Sequence, residues 1–158
     1  MLKLLSLFSG IGAFETALEN IGEAFEVVRY CEIDKYASKA YSLIHNLDEN
    51  MNLKDVTTVK TYDLPDDIDI TTYGFPCQDI SLSGKQLSLE EGSGTRSSLL
   101  WECKKIIEGK KPKYLLMENV KNLLSKKHKS HFDKWCEWLS DMGYKNYWQV
   151  LDSADFNI

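Results

Sequence analysis

Cys77 stands between Pro76 and Gln78 in "GFPCQDISLSGKQ", after an apolar run and ahead of a flexible stretch. A structural cysteine usually sits among apolar neighbours and acts as a small hydrophobe. Cys77 instead marks the boundary where a strand stops. A thiol there, its pKa lowered by backbone N–H groups or cations, is a usable nucleophile. Cys31, Cys103 and Cys136 fit a strand or helical faces and read as packed residues. Glu118 closes the apolar run "LLMENV". A carboxylic acid beside such a run is expected to be partly desolvated, with its pKa raised so that it can donate a proton. Its plain alternative is an ion pair with a neighbouring lysine.

"FSGIG" (8–12) supplies a second kind of chemistry. Gly10 and Gly12 permit a tight turn and a close ligand approach at a helix N-terminus. Glu15 occupies the third glycine position of a dinucleotide fingerprint, where a carboxylate would oppose a pyrophosphate. Glu32 ends the next apolar segment, twenty residues beyond Gly12. It can accept hydrogen bonds from both hydroxyls of a ribose, or simply cap the helix that starts at Asp34. Glycine turn, ribose acid and missing fingerprint together point to a nucleoside ligand such as S-adenosyl-L-methionine. A thiolate, a proton donor and a methyl donor suit one reaction. Attack at C6 of a pyrimidine makes C5 nucleophilic enough to take a methyl group, while the acid assists at N3.

Positioning these residues requires elements that end together. "LKLLSLF", "FEVVRYCEI", "DIDITTYG", "KYLLMEN" and "YWQVLD" read as strands by apolar content and flanking breakers. "AFETALENIG", "DKYASKAYSLIHN", "LLWECKKIIEG" and "HFDKWCEWLSDMG" read as helices. The first has Phe14, Ala17, Leu18 and Ile21 on one face with Gly22 as its stop; the second has Asp34 as N-cap. Phe132, Trp135, Cys136, Leu139 and Met142 share a face of the last helix. The order βαβαβαβαβ predicts an α/β fold with an open, mostly parallel sheet and helices on both faces. Ligands of such sheets bind at the carboxyl ends of the strands, and every candidate above lies at one. "SLSGKQLSLEEGSGTRSS" reads as a long functional or mobile loop.

Composition fits an ordinary soluble single domain spanning 1–158, with 43% apolar and 27% charged residues. No apolar run is long enough to span a bilayer, and the N-terminal run is too short for a signal peptide. Four separated cysteines without a CxxC pair argue against zinc and for reduced thiols in a cytoplasmic protein. Net charge is −5, but residues 104–129 hold nine lysines against Glu108 and Glu118. That stretch is compatible with a basic face on an acidic body, and equally with lysines on solvated surface.

The residues closely resemble the DNA cytosine-5 methyltransferase family along essentially the whole chain. "SLFSGIGAFETALENIG" resembles its first motif, "GFPCQDIS" its Pro-Cys motif and "MENV" its Glu-Asn-Val motif, in family order. Ser6 and Ala13 depart from the commoner Asp and Gly of the first motif. The resemblance implies a Rossmann-like, S-adenosyl-L-methionine-dependent enzyme with Cys77 as nucleophile and Glu118 as ring-activating acid. Phe8 would stack near the adenine and Ser9, Gly10, Ile11 and Gly12 would line the methionine end. Glu32 would hold the ribose, Ile33 would pack on adenine, Asp55 and Val56 would meet its edge, and Pro76 and Leu99 would border the cofactor. Loop 79–97 would close over DNA carrying a flipped cytosine, since the target carbon is inaccessible inside a duplex.

The same resemblance implies further motifs that would follow "DSADFNI": a Pro-Gln and an arginine-bearing motif, the target-recognition domain and a final helix beside the first motif. The chain is therefore expected to be C-terminally incomplete, with an unpaired sheet edge and exposed apolar surface. A second polypeptide supplying those parts is one expectation. An inactive fragment, or a non-catalytic module binding S-adenosylmethionine or a protein, is the other class. RNA cytosine-5 methyltransferases generally draw the nucleophile from a different motif, whereas the tRNA-directed branch of this same family stays open as an alternative.

Overall fold

A computed structural model describes residues 1–77 and 99–156. Its centre is strand β1 (Leu2–Leu7), where Leu4, Leu5, Ser6 and Leu7 are all buried. Burial on both faces is what a strand inside a parallel sheet requires. Strands β2 (Phe25–Cys31), β3 (Ile70–Tyr73) and β4 (Tyr114–Met117) complete a four-stranded sheet in the order β2-β1-β3-β4, with every pairing parallel. The strand order reverses between β1 and β3, which opens a crevice beyond their carboxyl ends.

Successive side chains of a strand point to opposite faces, and β1 feeds two cores in this way. Leu5 and Leu7 join Tyr73, Ile106, Phe132 and Trp135 on the face covered by helices α3 (Leu100–Lys110) and α4 (Lys129–Asp141). Leu4 joins Val27, Tyr30, Ile70 and Tyr41 under helix α2 (Lys35–Ile44), with Leu18 of helix α1 (Ala13–Asn20) packed against them. The helix ends obey the sequence signals. Asp34 Oδ1 accepts from the N–H groups of Tyr36 and Ala37 at 2.9 Å each. Gly22 takes φ +75°, and its neighbour's N–H closes the end of α1 by bonding Leu18 O at 3.0 Å.

Two expectations fail. Residues 147–152 form no strand: the segment runs past β4 without pairing, and Tyr147, Trp148, Val150 and Leu151 are exposed. A strand needs a hydrogen-bonded neighbour, whereas a groove of about 910 Å³ separates this segment from β4. Tyr114 and Leu116 of β4 are exposed beside it, as expected of an open edge. Helix α1 also presents a different face: Ala17 and Ile21 are exposed, and the fully buried residue is Glu15. A hydrogen bond from Tyr41 is what lets that carboxylate turn inward.

Candidate functional site at the strand ends

The first turn of the site follows β1. Phe8 takes φ +55°, a left-handed conformation that is costly for a side chain of its size. Ser9 N–H then continues the sheet by donating to Cys31 O at 3.1 Å. Gly10 (φ +55°) faces open space among the described residues, since a Cβ built there meets none of their atoms within 4 Å. Gly12 (φ +92°) is closed in: its Cβ would lie 1.8 Å from Nε2 of His45. The two glycines therefore serve different ends. One leaves room at the crevice, and the other makes room for an imidazole.

His45 is half of an internal buttress. Its Nε2 lies 3.2 Å from Ile11 O, its side chain is almost fully buried, and its ring packs on Tyr41 at 4.7 Å. Tyr41 stacks on Tyr30 and donates its hydroxyl to Glu15 Oε1 at 2.8 Å. Burial first, then the Glu15 charge, pushes the Tyr41 hydroxyl far above its ordinary pKa, so it remains a donor. Glu15 thus faces the interior rather than the crevice, which corrects the picture of a carboxylate set against a pyrophosphate. Nothing in the sequence marks His45; its position at the end of α2 reads as an ordinary helix terminus.

Glu32 follows β2, and its carboxylate reaches the start of α2 as the plainer of its two sequence readings expects. Oε2 accepts from Gly10 N–H at 2.9 Å, and Oε1 accepts from Asp34 N–H at 2.8 Å. It therefore ties the glycine turn to the start of α2. Each oxygen retains a further lone pair. Asp55 lies near by: after burial, its charge and that of Glu32 are what push the Cys31 thiol up to about 12. Asp55 Oδ1 is occupied by Thr57, through N–H at 2.9 Å and Oγ1 at 2.8 Å. Val56 is 5% exposed and belongs to the core, so its side chain is not offered to a ligand. Ile11 and Ile33 are exposed, and Phe8 is half-buried. The Ser9 hydroxyl is buried without a partner among the described residues.

The other half of the crevice comes from β3 and β4. Tyr73 pairs with Met117, so the two strands end flush and Gly74 lies beside Glu118. A Cβ on Gly74 would sit 3.5 Å from Glu118 Oε2. Asn119 Nδ2 donates to Phe75 O at 2.8 Å, stapling the segment after β4 to the one after β3. Pro76 and Cys77 follow directly and are half-buried. Glu118 is exposed, so the desolvation expected from its apolar run is absent among the described residues; the run ends before its carboxylate does. No described lysine pairs with it. Leu99 caps α3 and packs against the core. Loop 79–97 lies outside the described residues.

Among the described residues the arrangement offers open space at Gly10, a carboxylate with a free lone pair on each oxygen at Glu32, exposed apolar side chains at Ile11 and Ile33, and a buried unpartnered hydroxyl at Ser9. These fit a nucleoside with a polar amino-acid tail. The lysine-rich stretch is partly neutralised: Lys105 pairs with Glu102, Lys110 with Asp66 and Lys129 with Asp133, at 2.6–2.7 Å. None of the helices among the described residues is long and apolar enough to cross a membrane.

Comparison with known proteins places these features in a family. The family model described as C-5 cytosine-specific DNA methylase matches residues 2–158. The type II methyltransferase M2.ScrFI of Lactococcus lactis subsp. cremoris is 57% identical over 109 residues, covering 69% of this chain and 30% of that protein. The orphan methyltransferase M.SPRI of Bacillus phage SPR is 40% identical over 157 residues, covering 99% of this chain and 35% of that protein. The crystal structure of the S. pombe Dnmt2 methyltransferase shares the fold, with a TM-score of 0.65 at 23% identity, over 87% of this chain and 42% of that one. The chain thus spans about a third of the length of these two curated relatives.

Proposed function

The chain belongs to the C-5 cytosine-specific DNA methylase family, and on that premise we propose that it carries the catalytic part of a DNA cytosine-5 methyltransferase. Its substrate is a cytosine flipped from duplex DNA, because the target carbon cannot be reached inside the stack. Bound S-adenosylmethionine supplies an electrophilic methyl group on a sulfonium. Phe8 to Gly12, Glu32, Ile33, Asp55, Val56, Pro76 and Leu99 form the proposed cofactor site. Glu32 accepts the ribose hydroxyls, and the contribution of Val56 comes from its backbone, since its side chain is buried.

Cys77 Sγ, as thiolate, forms a bond to C6 of the ring. The displaced electron pair makes C5 nucleophilic, and Glu118 stabilises the ring by protonating or hydrogen-bonding N3. After C5 is methylated, loss of the C5 proton restores the C5–C6 double bond and expels the cysteine. The observation that carries this reading is the flush ending of β3 and β4, with Asn119 bonded to Phe75 O beside Pro76 and Cys77. It sets the nucleophile's segment next to Glu118 on the side of the sheet where the glycine turn and Glu32 also lie.

A second polypeptide supplying target recognition and the remaining motifs is part of this proposal. The test uses labelled S-adenosylmethionine and unmethylated DNA, with this chain alone and with a polypeptide carrying those motifs. Label is expected with both chains present. A gel-stable adduct is expected with DNA bearing 5-fluorocytosine, whose C5–F bond blocks the final elimination, and Cys77→Ser is expected to abolish it. No label and no adduct under either condition would withdraw the catalytic reading. A non-catalytic module would then remain, which the apolar groove along β4 favours.

A further inference from the structure

Glu32 lies one residue beyond the end of β2, where no sheet neighbour pairs its backbone. Both of its main-chain polar groups go instead to one side chain. Asn52 Oδ1 accepts from Glu32 N–H at 3.0 Å, and Asn52 Nδ2 donates to Glu32 O at 2.9 Å. The same amide accepts from Lys54 N–H at 2.8 Å and donates to Ser38 Oγ at 2.7 Å. An asparagine amide has two acceptor sites and two donors, so all four are used. Its orientation is fixed by its partners, because backbone N–H groups only donate and a carbonyl only accepts. Asn52 is itself docked on the sheet, bridged to Tyr30, with Leu53 N–H donating to Tyr30 O at 2.8 Å.

We propose that Asn52 is a positioning residue for the cofactor's ribose, acting through Glu32; this rests on the reading of Glu32 as the ribose acceptor. The amide substitutes for the sheet rung that Glu32 lacks. With main chain held by Asn52 and each carboxylate oxygen held by one backbone N–H, Glu32 is left with one free lone pair per oxygen for a pair of hydroxyls. Releasing the main chain frees the carboxylate to swing, and what is lost is recognition of the hydroxyls rather than of the rest of the ligand. Specificity for ribose over deoxyribose is therefore set in part by a residue that does not touch the sugar. Sequence spacing does not reveal this, because Asn52 lies twenty residues from Glu32 in an irregular segment.

The test is calorimetric affinity of the chain for S-adenosylmethionine and for its 2′-deoxyadenosine counterpart. The wild type should prefer the ribose form by roughly 10- to 100-fold, the worth of a hydrogen bond to a charged acceptor. In Asn52→Ala and Asn52→Asp that ratio should fall to within about threefold of unity. Asn52→Asp keeps the acceptor for Glu32 N–H and removes the donor to Glu32 O, so it guards against a general loss of folding. A merely structural Asn52 would weaken both ligands equally and leave the ratio intact, which would overturn the proposal. A wild type without preference would instead remove the Glu32 reading. In the unsubstituted chain the Glu32 amide should exchange with solvent as slowly as amides within β2. Exchange at the rate of an open loop would refute the clamp directly.

Discussion

Replacing Gly12 by alanine separates two reasons for a glycine. Its φ of +92° carries a strain cost of about 1–2 kcal/mol for any residue with a Cβ. The Cβ would also arrive 1.8 Å from His45 Nε2, so the buried ring must leave. That forfeits its hydrogen bond to Ile11 O and part of its packing on Tyr41, together about 2 kcal/mol. Gly12→Ala should therefore cost about 3–4 kcal/mol by urea unfolding. Gly10→Ala, at φ +55° with nothing in reach of the new carbon, should cost only the strain, about 1 kcal/mol. In a His45→Ala background the space is vacant, and Gly12→Ala should fall to about 1–2 kcal/mol. The four-protein cycle thus predicts a coupling of about 2 kcal/mol between positions 12 and 45. Additivity within about 0.5 kcal/mol would show that His45 is not what excludes a side chain at position 12.

Tyr41→Phe leaves both oxygens of the buried Glu15 carboxylate without a donor and should destabilise the chain by about 2–3 kcal/mol, read as a lower urea midpoint; an unchanged midpoint would mean that water or rearrangement satisfies Glu15. Burial raises the Cys31 thiol to about 12, so its contribution to stability is complete below the unfolded thiol pKa near 8.5 and is lost as pH rises towards 12. Cys31→Ala should accordingly flatten the alkaline limb of stability by about 1.4 kcal/mol per pH unit between pH 9 and 11, and an unaltered slope would place the alkaline loss elsewhere.

Much of this architecture was legible because local and global signals agree. Asp34 reads as an N-cap and is one, Gly22 reads as a helix stop and is one, and the apolar runs of the central strands β1 and β3 have the burial of a parallel sheet. The crevice residues were legible for the same reason: a breaker or polar residue directly after a strand marks a strand end. What failed depended on partners. "YWQVLD" has the composition of a strand, yet a strand exists only beside another, and here the neighbouring place is a groove. Glu15 reads as a carboxylate facing the ligand turn because its donor, Tyr41, comes from another helix. His45 and Asn52 were invisible for a related reason. Their importance lies in contacts across 33 and 20 residues of chain, with Gly12 and Glu32, that no local pattern encodes.

The pairing of Tyr73 with Met117 bears on how such a chain can change its length over generations. A single-residue deletion inside β3 would draw Cys77 back by about 3.3 Å and turn every following side chain to the opposite face of the sheet. Removing two residues would restore the facing but leave the strand two rungs short. Drift by insertion and deletion is therefore blocked inside β3 and β4. The alignment of Cys77 with Glu118 is stored here as a count of residues as well as a choice of them, and a deletion scan across 70–73 should find losses of one residue and of two both disruptive.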